Sequence, residues 1–288
     1  MQTSALVDAT IKRNNSGFFL LALAGFFFCS TPAMAQGDLL IFPKRVVFDG
    51  SKRSQQLNLA NSGKDTARYI ISVVQTRMKE DGGFESINQP DSGQNFADKF
   101  FRIFPRNVVL APNESQTVKI QLTNTGQLLQ GEYRSHLYFR AEPEKVPLGE
   151  ENKSNDSNAI SVKLVAVFGV TIPVIIRVGE PTTIINFSDV GFRMDKDTIP
   201  TVKMTFNRSG NMSTYGDISI DHTSLQGKVT RVGTIKGISV YTPNAARRSH
   251  VALDKNAGIN YHSGKLHLVY TEQATKGKKL AEAEIVLH

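Results

Sequence analysis

The chain has 288 residues, a formal net charge of +8, a single cysteine and no tryptophan. One cysteine excludes an intrachain disulfide. The basic residues are scattered, with short clusters at Lys52-Arg53, Arg247-Arg248 and Lys276-Gly-Lys-Lys279, and they lack the aromatic interleaving of single-strand binders, so a solvated basic surface is expected rather than a nucleic-acid site.

Residues 1–35 read as an export signal. Lys12 and Arg13 give a positive start, 17–28 is an apolar run, and Ala33-Met34-Ala35 is a small-x-small cleavage site. The run is shorter than the about 20 residues that cross a bilayer as a helix. No second apolar span is found beyond it, so no membrane insertion is expected. Cleavage after Ala35 removes Cys29 and leaves about 253 residues, a size that suits two ordinary domains. Each must then be stable through its own core in an oxidising compartment.

Strand signals dominate the remainder of the chain. Segments 39–42, 56–60, 69–74, 101–104, 117–122 and 133–141 are short and rich in β-formers, and turn residues such as Asn61-Ser-Gly63, Asp81-Gly-Gly83 and Ala111-Pro-Asn113 separate several of them. In 133–141 the alternation is clearest: Tyr133, Ser135, Leu137, Phe139 and Ala141 face one way, Arg134, His136, Tyr138 and Arg140 the other. With the long strand 160–177 the count is about seven, which fits an immunoglobulin-like sandwich. At Arg177-Val-Gly-Glu-Pro181 the apolar run stops at glycine and proline, which sets expected domains at 36–179 and 180–288. The second also reads as all-β, with strands expected at 202–206, 218–220, 228–232, 238–241, 265–270 and 282–287.

The run Ile160-Ser-Val-Lys-Leu-Val-Ala-Val-Phe-Gly-Val-Thr-Ile-Pro-Val-Ile-Ile-Arg177 is the most informative stretch. It comes after the polar segment 144–158, and Ile160, Val162, Leu164, Ala166 and Phe168 share one side of an extended strand, while from Val165 onward both faces are apolar. A core strand is one reading. The other is an exposed edge, which invites pairing with a second chain and is also a mode of recognition. Arg45, ahead of Val-Val-Phe48, is either a surface charge or, beside a cleft, a donor fork suited to a carboxylate.

Other chemistry finds little support. His262 and His267, five residues apart in a strand, point to opposite faces, so no metal site is expected. Neither a Gly-x-Ser-x-Gly elbow nor a Ser-x-x-Lys signature is present, and the Asp81-Gly-Gly83 turn lacks the helix start of a phosphate loop. An enzyme is not expected, although a triad assembled from distant residues is invisible to sequence.

Taken together, Arg45-Val-Val-Phe-Asp-Gly50, Phe104-Pro-Arg-Asn-Val-Val-Leu-Ala-Pro112 with Gln116-Thr-Val118, Tyr133-Arg-Ser-His-Leu137 and Ile172-Pro-Val-Ile-Ile-Arg177 resemble the periplasmic chaperones of the chaperone–usher pilus pathway, as a divergent branch. The resemblance covers most of 38–178. It implies two immunoglobulin-like β-sandwich domains in a boomerang arrangement, a periplasmic location and no cofactor. It implies capture of pilin or fimbrial subunits by donor-strand complementation, then delivery to an outer-membrane usher. A self-capping homodimer is one way such an edge is covered when free.

The resemblance places strand donation on Ile160, Val162, Leu164, Ala166 and Phe168, the anchor for the subunit's terminal carboxylate on Arg45, and an interdomain role on Arg177. Two positions depart from it. Pro173 stands where many members have a lysine that shares the carboxylate, leaving Arg45 to act alone or with a backbone donor. Arg134 stands where many have an acidic residue, so Arg177 needs a different partner. The rival reading without the resemblance is a secreted immunoglobulin-like binding or structural protein of the cell envelope.

Overall fold

In a computed structural model, residues 39–142, 167–196, 198–255, 258–273 and 277–288 are described. The expected export signal and the donor positions Ile160, Val162, Leu164 and Ala166 lie outside them. Residues 37–288 belong to one compact unit, and the described elements are nearly all strands.

The first sandwich contains β1 (Leu39–Phe42), β2 (Val46–Phe48), β3 (Ser54–Asn61), β4 (Ala67–Val74), β5 (Thr76–Met78), β6 (Phe84–Ser86), β7 (Phe101–Phe104), β8 (Asn107–Leu110), β9 (Ser115–Leu122), β10 (Gly131–Ala141) and β11 (Gly169–Val178). A four-stranded sheet β1-β3-β9-β7 faces a five-stranded sheet β2-β11-β10-β4-β8. That is the strand order of an immunoglobulin-like sandwich, with the first strand divided between the two sheets. The period-two pattern explains the packing: Leu57, Leu59, Val118 and Ile120 point inward from one sheet, Leu137, Phe139, Val174 and Ile176 from the other, and all are buried in one cluster.

The second sandwich contains β12 (Ile184–Asp195), β13 (Ile199–Ser209), β14 (Thr214–Thr223), β15 (Val229–Val240), β16 (Ala246–Ala252), β17 (Gly264–Glu272) and β18 (Lys279–Leu287). Its sheets are β12-β13-β16 and β15-β14-β17-β18, closed over a separate cluster that includes Val202, Phe206, Ile218, Ile220, Leu268 and Tyr270. The expected strands at 228–232 and 238–241 are one strand here. β15 runs through both, and its register against β14 shifts between Gly216 and Ile218 and again between Ile220 and Asp221. Gly237, at φ +70, carries the chain through the first irregularity, so a break in alternation that reads as a turn is a bulge instead.

Two of the features that join the sandwiches account for the strand pattern. The first is the β5–β6 hairpin, whose turn is the Asp81-Gly-Gly83 segment: it reaches across so that Asn244 Nδ2 donates to the Met78 carbonyl at 2.9 Å and the Arg248 N–H to the Glu80 carbonyl at 2.6 Å. The second is a small buried cluster of Met78, Ile175 and Tyr241, with Val47 packed against it. Ile175 therefore uses the face of β11 opposite to Val174 and Ile176. This explains why β11 is apolar on both faces.

The same cover buries the second face of β10. Arg134 and His136, which alternation sets opposite to the sandwich core, are buried alongside Tyr133, Ser135 and Leu137. From Gly131 to Leu137 both faces of this strand lie in protein interior, whereas Arg140 on the second face is exposed.

Candidate functional site

Arg45 lies in the crossing from β1 to β2. β2 pairs parallel with β11 from Val46↔Val174 to Ile176↔Phe48, which brings Arg45 to the level of Pro173. A cleft of about 890 Å³ opens there between the sandwiches, lined by Lys44, Arg45 and Arg177 on one side and by Tyr215, Glu272 and Lys278 on the other. The Arg45 guanidinium stands 4.5 Å from the centre of the Tyr215 ring and 5.8 Å from that of Tyr241, and its Nη1 is buried without a hydrogen-bond partner among the described residues. Burial lowers its pKa from the ordinary arginine value; the Tyr241 hydroxyl opposes this, the Arg177 charge adds to it, and Glu132 and the Tyr215 hydroxyl oppose it further. The Tyr rings compensate such a cation in part.

Arg177 closes the floor of the cleft. It is the direct cross-strand neighbour of Glu132 on β10, and its Nε donates to Glu132 Oε2 at 3.1 Å while its Nη2 donates to the Ser213 carbonyl at 2.7 Å. Glu132 Oε2 also accepts from the Ser213 N–H at 3.0 Å and the Ser213 hydroxyl at 2.8 Å. The different partner that Arg177 requires is thus Glu132, two residues before Arg134. One buried carboxylate serves an arginine of the first sandwich and a serine of the second.

Arg134 itself is 2% exposed. Its guanidinium lies 4.4 Å from the centre of the Tyr241 ring, and Nη2 donates to the Thr242 carbonyl at 3.4 Å. Its Nε and Nη1 are buried with no partner among the described residues, and burial lowers its pKa. Tyr241 therefore has two arginines near its ring. The region between the sandwiches carries Arg45, Arg134 and Arg177 around a single fully buried carboxylate, Glu132.

His136 lies on the same face of β10 and hydrogen-bonds through Nδ1 to the Thr76 hydroxyl at 3.0 Å. Burial first, then the Arg134 charge, push its pKa down to about 3. The folded chain therefore holds His136 neutral at pH values where the unfolded chain protonates it. Between about pH 6.5 and 3 the unfolded state binds more protons, so stability is fully present above about pH 6.5 and is lost as pH falls through that window. A slope of up to about 1.4 kcal/mol per pH unit is expected. Urea unfolding of wild type and His136→Gln between pH 7 and pH 4 checks this: the substitution should remove that slope.

The second element of the site is the leading end of β11. Among the described residues β11 pairs from Gly169 to Pro173 with β10 alone, because β2 begins its pairing at Val174. A proline is tolerated there because no ladder N–H is required on an open edge. Phe168, at the start of this segment, and Val170 are 50% and 41% exposed; on the neighbouring edge strand β1, Leu40 and Phe42 are 61% and 72% exposed. β1 and β2 are consecutive, so both open edges lie on one side of the sandwich.

Of the residues singled out in the sequence, Arg45 and Arg177 therefore share one cleft and Phe168 leads into the strand beside it. Sequence reasoning missed Glu132, Ser213, Tyr215 and Tyr241. Only Glu132 had a local signal, since it opens the most strongly alternating strand. Among the described residues no group of three or more His, Cys, Asp or Glu side chains could hold a metal ion, and no helix is long and apolar enough to cross a membrane.

No family model and no curated protein matches the chain. Among solved structures it is similar to that of the CsuC–CsuE chaperone–tip subunit pre-assembly complex of the archaic chaperone-usher Csu pili of Acinetobacter baumannii, with a TM-score of 0.44 and 12% identity over 88% of this chain and 100% of that one. It is similar to the YadV chaperone, with a TM-score of 0.42 and 13% identity over 87% and 100%. A third is the Salmonella enterica SafA pilin in complex with the SafB chaperone, with a TM-score of 0.39 and 13% identity over 86% and 96%. The structures named are those of a chaperone or of chaperones in complex with pilus subunits.

Proposed function

We propose that the chain is a non-enzymatic periplasmic chaperone that captures pilin-like subunits lacking a final strand, completes their sandwich with the strand entering β11, and passes them to an outer-membrane usher. The observation that carries this reading is the edge of β11 at Gly169–Pro173, which no described strand pairs on the side that β2 takes from Val174 onward, with Phe168 and Val170 exposed beside it. Proteins usually blunt such an edge with charge, or cover it. Here it is apolar and lies next to a cleft rich in cations. A partner strand laid along this edge gains main-chain hydrogen bonds, and the alternating side chains set its register. The sequence row Ile160, Val162, Leu164, Ala166 and Phe168 would extend the same edge, and the cleft at Arg45 would receive the partner's terminal carboxylate. Release by exchange with another subunit's segment needs no hydrolysis.

The test is co-expression with candidate subunits from the same operon. Each large apolar side chain moved from water into a partner contributes about 1.5–3 kcal/mol, so Leu164→Asp and Phe168→Asp should each lower subunit recovery at least about tenfold without changing the thermal unfolding of the free chain. Unchanged recovery in the double variant sinks strand donation.

A further inference from the structure

The cations around the cleft outnumber its acids. Among the described residues Lys44, Arg45, Arg177 and Lys278 line it, against Glu272 as the one acid, and Glu132 behind Arg177 is already engaged by Arg177, Ser213 and Thr242. Among the described residues Lys278 has no ion pair, whereas its neighbour Lys279 is held by Glu282 at 2.7 Å. Lys278 belongs to the far wall. Its carbonyl accepts from the Glu272 N–H at 2.8 Å, and the next N–H, that of Gln273, donates to the Tyr215 carbonyl at 3.2 Å. Tyr215 is the residue whose ring lies against Arg45. A short run of contacts thus leads from the base of the β17–β18 hairpin to Arg45, whose Nη1 has no partner among the described residues.

We infer that Lys278 is the second cation of the carboxylate site: a partner's chain terminus is held between Arg45 of the first sandwich and Lys278 of the second. This rests on the proposed carboxylate role of Arg45. Strand β11 offers Pro173 at this level, which has neither a charged side chain nor an N–H to give. Lys44 belongs to the same sandwich as Arg45, whereas Lys278 lines the cleft from the other, and a carboxylate has two oxygens that separate charged donors can share. The flexible stem of a lysine suits an exposed position from which it closes onto a bound anion. Recognition of a free terminus then requires both sandwiches, and the anchor's strength depends on the interface that holds them together.

The experiment uses the full chain and a pair of short synthetic peptides of alternating valine and threonine, identical except that one ends in a free carboxylate and the other in an amide. Titration calorimetry gives the ratio of their affinities. The wild-type chain should prefer the free carboxylate, and Lys278→Glu should shrink that preference by about tenfold or more while leaving affinity for the amide unchanged. Lys278→Arg should restore it, and Lys279→Ala should leave it intact. A preference lost in Arg45→Ala but kept in Lys278→Glu overturns the role of Lys278 and leaves that of Arg45 standing, as does a preference that depends on Lys44 instead. Equal affinity of the wild-type chain for both peptides overturns the carboxylate reading of Arg45, and this inference with it.

Discussion

Replacing Glu132 by alanine is expected to destabilise the folded chain by about 3–5 kcal/mol, the effect of removing one partner from a buried ion pair. Its carboxylate is fully buried in contact with Arg177, and it accepts two hydrogen bonds from Ser213 and one from the Thr242 hydroxyl at 3.4 Å. Without it, Arg177 keeps the Ser213 carbonyl but loses its counter-charge, and the Ser213 N–H is left buried and unpaired. The loss extends further, because Glu132 also favours the charged forms of Arg45, Arg134 and Arg208. Glu132→Gln keeps the volume and one acceptor oxygen, so it should cost less than the alanine. Urea unfolding followed by circular dichroism measures both. A loss under about 1 kcal/mol for Glu132→Ala would show that the arginines find other compensation.

Glu132 also marks where sequence stops being informative. Among the strands that could be read, β3, β4, β9 and β10 alternate apolar and polar residues in sequence, so that period two is visible along the chain; β11 was legible instead as a long apolar run. Those that escaped include the β5–β6 pair, three residues per strand although its turn could be read, the four-residue β8, β12, and β16, whose Ala-Arg-Arg-Ser-His-Val-Ala252 sequence reads as a charged surface. Arg248 in β16 pairs with the exposed Glu80 of the hairpin at 3.0 Å, and its backbone N–H donates to the Glu80 carbonyl at 2.6 Å. A short strand carries too few residues for a periodicity, and a strand whose polar side chains meet another domain looks solvated.

The site shows the same division. Arg45 and Arg177 were legible as arginines next to strands, because each sits at the end of an apolar run. What makes them a site is not local: Ser213 is 81 residues from Glu132 and Thr242 is 110, and Tyr215 and Tyr241 meet Arg45 only when the second sandwich is in place. Tyrosines that are dispersed in sequence converge in space on one guanidinium. No pattern within a strand could have announced that.

Arg45→Ala should separate binding from stability. In the free chain Arg45 is half-buried, its Nη1 has no partner among the described residues, and burial and the neighbouring Arg177 both disfavour its charge. Removing it relieves that desolvation and repulsion at the loss of its contacts with Tyr215 and Tyr241, each worth about 0.5–1 kcal/mol for such a pair. The stability of the free chain is therefore expected to change by no more than about 1 kcal/mol. Subunit capture should fall by about ten- to a hundredfold, because a charge-assisted hydrogen bond to a carboxylate contributes about 1.5–3 kcal/mol. Arg45→Lys keeps the charge but loses the planar fork and should fall between the two. A residue held for structural reasons would behave in the opposite way: its alanine variant would lose several kcal/mol of stability, and capture would fall only as far as the folded fraction does. Unfolding midpoints and subunit affinities measured on the same preparations distinguish the cases. A cation that adds little to its own fold, beside an apolar edge that its own sandwich leaves open, is the arrangement expected of a surface completed by a partner.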